Sequence, residues 1–194
     1  MEILVGEARL RLLRGDITKI PVDAMGNAAN AELAGGGGVD GAIHRAGGPS
    51  LMKELDRLRG RDGCPTGAAV ITGAGALPAK WVLHAVGPVW RGGGFGEPDL
   101  LASAYEASLR LAAEKGARSV SFPSISTGTY GYPVEKAAPV ALRAVADFLR
   151  KPGHPVRDAA FVLFDGPTFA AYELALAPPG EAVDNSPPEP YTQG

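Results

Sequence analysis

The sequence holds a single cysteine, Cys64, so no disulfide can form within the chain. Histidine is scarce too, at three residues, and no CxxC or HxxxH spacing occurs, which argues against a metal centre. An excess of one charge is also missing. The chain sets 19 lysines and arginines against 21 acids, for a formal net charge of -2, so a nucleic-acid partner has no support. No apolar run approaches the ~18 residues of a membrane span. The opening MEILVGEARLRLL carries an acid at Glu2 and too short an apolar stretch for a signal peptide. These absences lead us to expect a soluble chain with no membrane partner, working in the reducing cytoplasm.

What is present is an ordinary globular composition, 45% hydrophobic and 21% charged, over 194 residues, the size of one domain. In ILVGEARLRLL, Leu10 and Leu12 alternate with Arg9 and Arg11, the period of a half-buried strand. Strand-like runs recur at PVDAMGNAA, GAAVITGA, KWVLHAVG, RSVSFPSI and AAFVLFDG. Helical segments lie between them. SLMKELDRLRG puts Leu51, Leu55 and Leu58 on one face and closes on Gly60. PDLLASAYEASLRLAAEKG opens at Pro98, aligns Leu101, Tyr105, Leu109 and Ala112, and ends at Lys115 and Gly116. A third helix is expected from Pro133 to near Leu149, kinked or delayed by Pro139, and a short one from near Thr168 to Leu176. Behind a single domain of residues 1–176, the segment 177–194 is rich in Pro, Gly and acids and reads as a flexible tail. Alternating strands and helices imply an α/β fold whose mainly parallel or mixed sheet is covered on both faces. In such sheets ligands settle beyond the carboxyl ends of the strands.

Two of the strand-to-helix turns carry glycine. One is GGGGVDGAI, with four consecutive glycines from Gly35 to Gly38, leading into a short helix; the other is SISTGTYGYP, from Ser124 to Pro133. Ordering four glycines costs much conformational entropy. Helix N-termini offer unpaired N–H groups and partial positive charge, and glycine lets an anion approach them without a Cβ in the way. Two such loops at one sheet edge suit a diphosphate. Neither continues as GK[ST], which argues against a P-loop, and GAGALP at Gly73 lacks the third glycine and the helix of a dinucleotide fingerprint. Tight turns alone would need two or three glycines in all and leave four in a row unexplained.

GDIT at Gly15, NAAN at Asn27, Asn30 followed by GGGGVD, then GAIHRAGG, CPTGAAVIT, LPAKWVLHAVGP and STGTYGYP succeed one another along the chain. In that order and spacing the sequence resembles the macro domains, most of all their MacroD-type branch, over about residues 8–176. The resemblance implies a three-layer α/β/α fold with a central mixed, mainly parallel sheet, and a cleft for ADP-ribose. It implies no cofactor. It further implies a metal-independent hydrolase that deacetylates O-acetyl-ADP-ribose and removes ADP-ribose from mono-ADP-ribosylated Asp or Glu, so that ADP-ribosylated proteins join the nucleotides as partners. A reader module that only binds ADP-ribose is the alternative. The presence of both Asn30 and Asp40 favours the enzyme.

By the same resemblance Asn30 and Asp40 flank the distal ribose and carry the chemistry, with Asp40 or the substrate's own phosphate activating water. Asp16 accepts from the adenine amine, Phe164 packs on the adenine, and Ile17, Asn27 and Val39 contact the ligand. The amides from Gly35 to Asp40, with Gly36, Gly37 and Gly38 at the ligand, and those of Ser126, Thr127, Gly128, Thr129 and Tyr130, hold the phosphates, and the Tyr130 ring covers the ribose. Read without the resemblance, Asp16 is an N-cap or Asx-turn, Asp40 a helix cap, Phe164 a core residue and Tyr130 a turn aromatic. His84 alternates with Val82 and Val86 and reads as a satisfied core histidine; His44 lies one turn after Asp40, and Cys64 reads as a small buried or turn residue. Two departures from the family pattern stand out. Gly26 replaces a branched apolar residue, which is expected to loosen strand packing, and ITGAGALPAK lacks an aromatic in its turn.

Overall fold

The computed structural model describes residues 1–177. The expected tail therefore falls almost wholly outside the described residues. The opening segment forms two strands rather than one: β1 (Glu2–Val5) and β2 (Ala8–Arg14) pair antiparallel across a two-residue turn at Gly6 and Glu7. A single 3-10 turn (Ile17–Lys19) leads to β3 (Ala24–Ala28), then α1 (Gly38–Gly47), α2 (Pro49–Leu58), β4 (Ala69–Gly73) and β5 (Trp81–Ala85). The described residues continue through α3 (Glu97–Glu114), β6 (Ser119–Phe122), α4 (Val134–Arg150), β7 (Asp158–Leu163) and α5 (Gly166–Leu176). The sheet order is β1-β2-β7-β6-β3-β5-β4, parallel from β2 through β5 and antiparallel at both edges. Hence the carboxyl ends of five strands share one edge.

Alternation along the strands sorts side chains into two cores. Phe161 and Leu163 of β7, with Leu83 and Ala85 of β5, pack under α3, α4 and α5. Ala160 and Val162, with Met25 of β3 and Val82 of β5, pack under α1 and α2. This is the three-layer α/β/α arrangement with a mixed, mainly parallel sheet. In α3, Leu101, Tyr105, Leu109 and Ala112 are all fully buried, as their spacing requires. On α2, Leu51 and Leu55 are buried but Leu58 is 49% exposed, because the helix ends there and runs out of partners. Pro139 neither starts nor ends α4; the helix is continuous across it. Among the described residues no helix is long and apolar enough to cross a membrane.

The aromatic core reaches the cleft. Tyr105 stacks edge-on against Phe122 and Phe161, with ring centroids at 5.3 and 5.7 Å. Its hydroxyl donates to the Pro123 carbonyl at 3.1 Å and accepts from the Ile125 N–H at 2.9 Å, so the root of the second glycine loop is pinned to α3. The Tyr172 hydroxyl of α5 donates to Ser124 Oγ at 3.0 Å.

Gly26 does not loosen the sheet. The Phe122 ring fills its place: a Cβ on Gly26 would sit 2.5 Å from Phe122 Cδ1 and 2.9 Å from the Ser121 carbonyl. Gly26→Val is therefore expected to lower unfolding free energy by about 1–3 kcal/mol through overpacking. Adding Phe122→Leu should make the pair less destabilised than the sum of the single changes. Urea denaturation of the four proteins measures both; an additive pair would refute the packing account.

Candidate active site

Beyond β3 the chain folds back on itself through Asn30. Its Oδ1 accepts from the Ala34 N–H at 3.0 Å and its Nδ2 donates to the Gly35 carbonyl at 2.8 Å, bracing the glycine run. Gly35 and Gly38 lie at φ +77° and +56°, the left-handed region that L side chains resist. Gly36 serves differently. A Cβ there would stand a tight 3.3 Å from Asp40 Oδ2 and in ordinary contact with Asn30 Nδ2 at 3.8 Å. Among the described residues, the N–H groups from Gly35 to Asp40 have no protein acceptor, and they precede and open α1 with its positive dipole end.

The second loop leaves β6 and is tied at both ends. Thr127 Oγ1 donates to the Ser124 carbonyl at 3.0 Å, the Tyr132 N–H to the Ser126 carbonyl at 3.0 Å, and the Trp90 N–H to the Tyr130 carbonyl at 2.9 Å. Ser126 is left-handed at φ +68° although it carries a side chain, a conformation that costs about 1–3 kcal/mol and persists where surroundings impose it. Gly87 makes the room, since a Cβ there would overlap Ser126 Oγ. The N–H groups from Ser126 to Tyr130 also have no acceptor among the described residues. Glu97 holds the neighbouring loop by accepting from the N–H groups of Arg91, Gly93 and Phe95 at 2.9, 3.0 and 2.7 Å.

Between the loops runs a cleft of two lobes that share Gly38, Val39, Ser124 and Gly128. The inner lobe, about 240 Å³, is lined by Asn30, Gly36, Gly37, Asp40, Ser126, Thr129 and Tyr130. The outer lobe, about 600 Å³, is lined by Asp16, Ile17, Arg45, Thr127 and Phe164. Asp16 caps the 3-10 turn through Oδ1, which accepts from Thr18 N at 2.9 Å and Thr18 Oγ1 at 2.7 Å; these bonds outweigh desolvation and hold its carboxyl below the ordinary value. Capping and cleft lining thus coexist in one side chain. Phe164 is not core: it is 80% exposed at the mouth of the outer lobe. Arg45 escaped the sequence reading, although Gly38, Ala42 and Arg45 share one face of α1 at helical spacing and all line the outer lobe.

Asn27, expected at the ligand, is fully buried and lines neither lobe of the cleft. Its Nδ2 donates to Asp40 Oδ1 at 2.6 Å and lies 3.1 Å from His84 Nδ1, while His84 Nε2 lies 2.9 Å from Thr72 Oγ1. Burial favours the neutral ring of His84 and brings its pKa down to about 3. Burial opposes ionisation of Asp40, yet the neighbouring His44 ring and the hydrogen bond from Asn27 prevail and its carboxyl sits below the ordinary value. His44 Nε2 approaches Asp40 Oδ1 at 3.4 Å without hydrogen-bond alignment. Asp40 Oδ2 is buried with no protein partner. Tyr130 feels the same site: burial first, then the charges of Glu32 and Asp40, raise its phenol. Among the described residues no group of three or more His, Cys, Asp and Glu side chains is arranged to hold a metal ion.

The sequence model of the macro domain matches residues 26–141. A macro domain-containing protein of Caldanaerobacter subterraneus is 54% identical over 168 residues, covering 86% of this chain and 95% of its own. An O-acetyl-ADP-ribose deacetylase of Escherichia coli K12 is 51% identical over 176 residues, covering 90% and 99%. Among solved structures, an Oceanobacillus iheyensis macrodomain with ADP superposes with a TM-score of 0.86 at 40% identity, covering 91% of this chain and 94% of that one. The fold, the paired loops and these relatives agree, and the chain belongs to the macro domain family.

Proposed function

We propose that this protein is an ADP-ribose-binding hydrolase that deacetylates O-acetyl-ADP-ribose and, by the same ester chemistry, frees ADP-ribose from mono-ADP-ribosylated Asp and Glu of proteins. The reading includes a cytoplasmic setting, in keeping with a buried Cys64 that has no pairing partner. The naming of relatives at 51% identity as O-acetyl-ADP-ribose deacetylases supports it. The observation that carries it is Asp40 Oδ2, an unpartnered oxygen of a buried, ionised carboxylate beside Asn30 and between two rows of free amides.

On this reading the outer lobe takes the adenine, with Phe164 against its face and the uncommitted oxygen of Asp16 toward its amine. The amides of both loops hold the pyrophosphate, and Asn30 and Tyr130 frame the distal ribose. Water adds to the ester carbonyl. The ester C–O bond then breaks, the ribose oxygen leaves with a proton, and acetate and ADP-ribose result. A carboxylate held below its ordinary pKa is a weak base, so Asp40 orients the water and collects its proton as attack proceeds, sharing that load with the substrate phosphate.

Asp40→Ala is expected to lower kcat by about 10²–10⁴, with ADP-ribose affinity changed far less. Calorimetry and turnover on one preparation decide: binding without wild-type turnover selects the reader, and turnover surviving Asp40→Ala removes the catalytic assignment. Phe164→Ala should weaken ADP-ribose binding by about 1–3 kcal/mol, as loss of a base-stacking ring does; unchanged affinity would rule out stacking. The pH profile has a definite sign. Because the Asp40 pKa is lowered, its charge persists as pH falls, so its acid limb should lie below the ordinary carboxylate value of 3.8. A limb assigned to Asp40 near neutrality, lost in Asp40→Asn, would contradict this.

A further inference from the structure

We infer that Asn27, His84 and Thr72 are positioning residues for Asp40, joined in a hydrogen-bond chain of fixed polarity that holds Oδ1 against the sheet and leaves Oδ2 toward Gly36 and the cleft. The inference deepens the proposed hydrolase and rests on it for its catalytic consequence.

Each link has only one polarity. An ionised Asp40 can only accept, so the amide of Asn27 must present Nδ2 to it, at 2.6 Å. The second hydrogen of that amide then meets His84 Nδ1 at 3.1 Å, which makes Nδ1 an acceptor and leaves the ring proton on Nε2. Nε2–H donates to Thr72 Oγ1 at 2.9 Å, because the Thr72 hydroxyl spends its own hydrogen on the Gly73 carbonyl at 2.9 Å. The chain ends on the backbone of β4, and Asn27 and His84 are register partners on adjacent parallel strands. From Asn27 one branch of donation thus runs to a single carboxylate oxygen and the other to a fixed backbone carbonyl.

None of the three side chains lines the cleft, and Asn27, Thr72 and His84 are 0%, 2% and 0% exposed. Buried polar groups of this kind add little stability over apolar ones of similar size, so their use lies in orientation. The titratable groups around the ring are Asp40 and His44 of α1, the latter with ring centroids 6.0 Å away, and Glu54 of α2, whose carboxylate accepts from the Gly73 N–H at 2.9 Å. Burial keeps the ring neutral among them, so its polarity does not reverse near neutral pH.

The test uses the full chain with His84→Leu and His84→Asn, the latter placing an acceptor where Nδ1 stands. His84→Leu is expected to lower kcat about ten- to a hundredfold, since a misaimed reacting group costs up to that much. ADP-ribose affinity by calorimetry should stay within about twofold, because binding of the product does not use the carboxylate's aim. By ¹³C NMR the Asp40 titration should move upward in His84→Leu. His84→Asn should recover most of kcat and return that titration toward the wild-type position. In the wild type, ¹⁵N–¹H NMR should show a neutral ring protonated on Nε2. Should the Leu variant fail to fold, Thr72→Val releases the far end of the chain, with the same direction of change expected. An Nδ1-protonated ring, an Asp40 titration unmoved in the Leu or Val variant, or an Asn variant no better than Leu overturns the inference. If the wild type binds ADP-ribose but turns over no ester, the hydrolase reading falls, while the two NMR readouts still decide the chain.

Discussion

The 2.6 Å bond from Asn27 to Asp40 joins the carboxyl end of β3 to the first turn of α1. The strand is central, with β6 and β5 parallel on either side, so its end is among the least movable points in the molecule. Everything in the glycine run must close within the gap this bond leaves between Ala28 and Gly38. That closure forces Gly35 and Gly38 left-handed and leaves a Cβ at Gly36 tight against Asp40. It also leaves six successive N–H groups without protein acceptors, which is the property an anion site needs.

Such an arrangement is unfavourable by itself. Ser126 and Leu33 both hold positive φ with side chains attached, Asp40 Oδ2 and Asn27 Oδ1 are buried without partners, and several glycines are ordered. Left-handed residues with a Cβ cost about 1–3 kcal/mol each. The opposing stabilisation comes from the other face of the sheet, where Tyr105, Phe122, Phe161 and Tyr172 pack ring to ring with centroids 5.0–6.1 Å apart. Aromatic pairs of this kind contribute about 0.5–1.5 kcal/mol beyond their burial. Tyr105 and Tyr172 also send hydroxyls into the root of the second loop, so the same rings that stabilise the fold impose its strained conformation.

Much of this was legible in the sequence, and the rest was hidden for identifiable reasons. Alternation revealed the strands, and the 3.6 period of Leu101, Tyr105, Leu109 and Ala112 revealed α3, because burial on one face leaves a mark in the chain itself. Four glycines in a row marked the first loop, because few other demands produce them. What lies opposite a residue leaves no such mark. Gly26 looked like a defect until the Phe122 ring was seen in its place. Phe164 follows Leu163 in an apolar run and looked buried, yet it lies one residue beyond β7, where the pattern no longer binds. The pairing of Asn27 with His84, 57 residues away, is invisible to spacing. Gly6 and Glu7 broke one expected strand into a hairpin, a turn too short to interrupt the alternation around it.

The two lobes differ in what recognises the ligand, and the difference explains why they differ in legibility. On the proposed reading, outer-lobe selectivity depends on side chains brought from four elements or their ends: Asp16 and Ile17, Arg45, Thr127 and Phe164 are scattered through the chain. Side chains can be exchanged one at a time, so this end can be adapted to another nucleotide without changing the backbone. At the inner lobe the proposed donors are main-chain amides, which have no rotamers to order and no alternative orientation once the loop is set. Such donors cannot be replaced by substitution, only disturbed by a Cβ in the wrong place. The pressure on sequence at that end therefore falls on glycine and on the few side chains that fix the loops, Asn30 and Asp40 foremost. Chemistry staged there inherits the rigidity of β3 and β6, whereas recognition at the mouth does not require it.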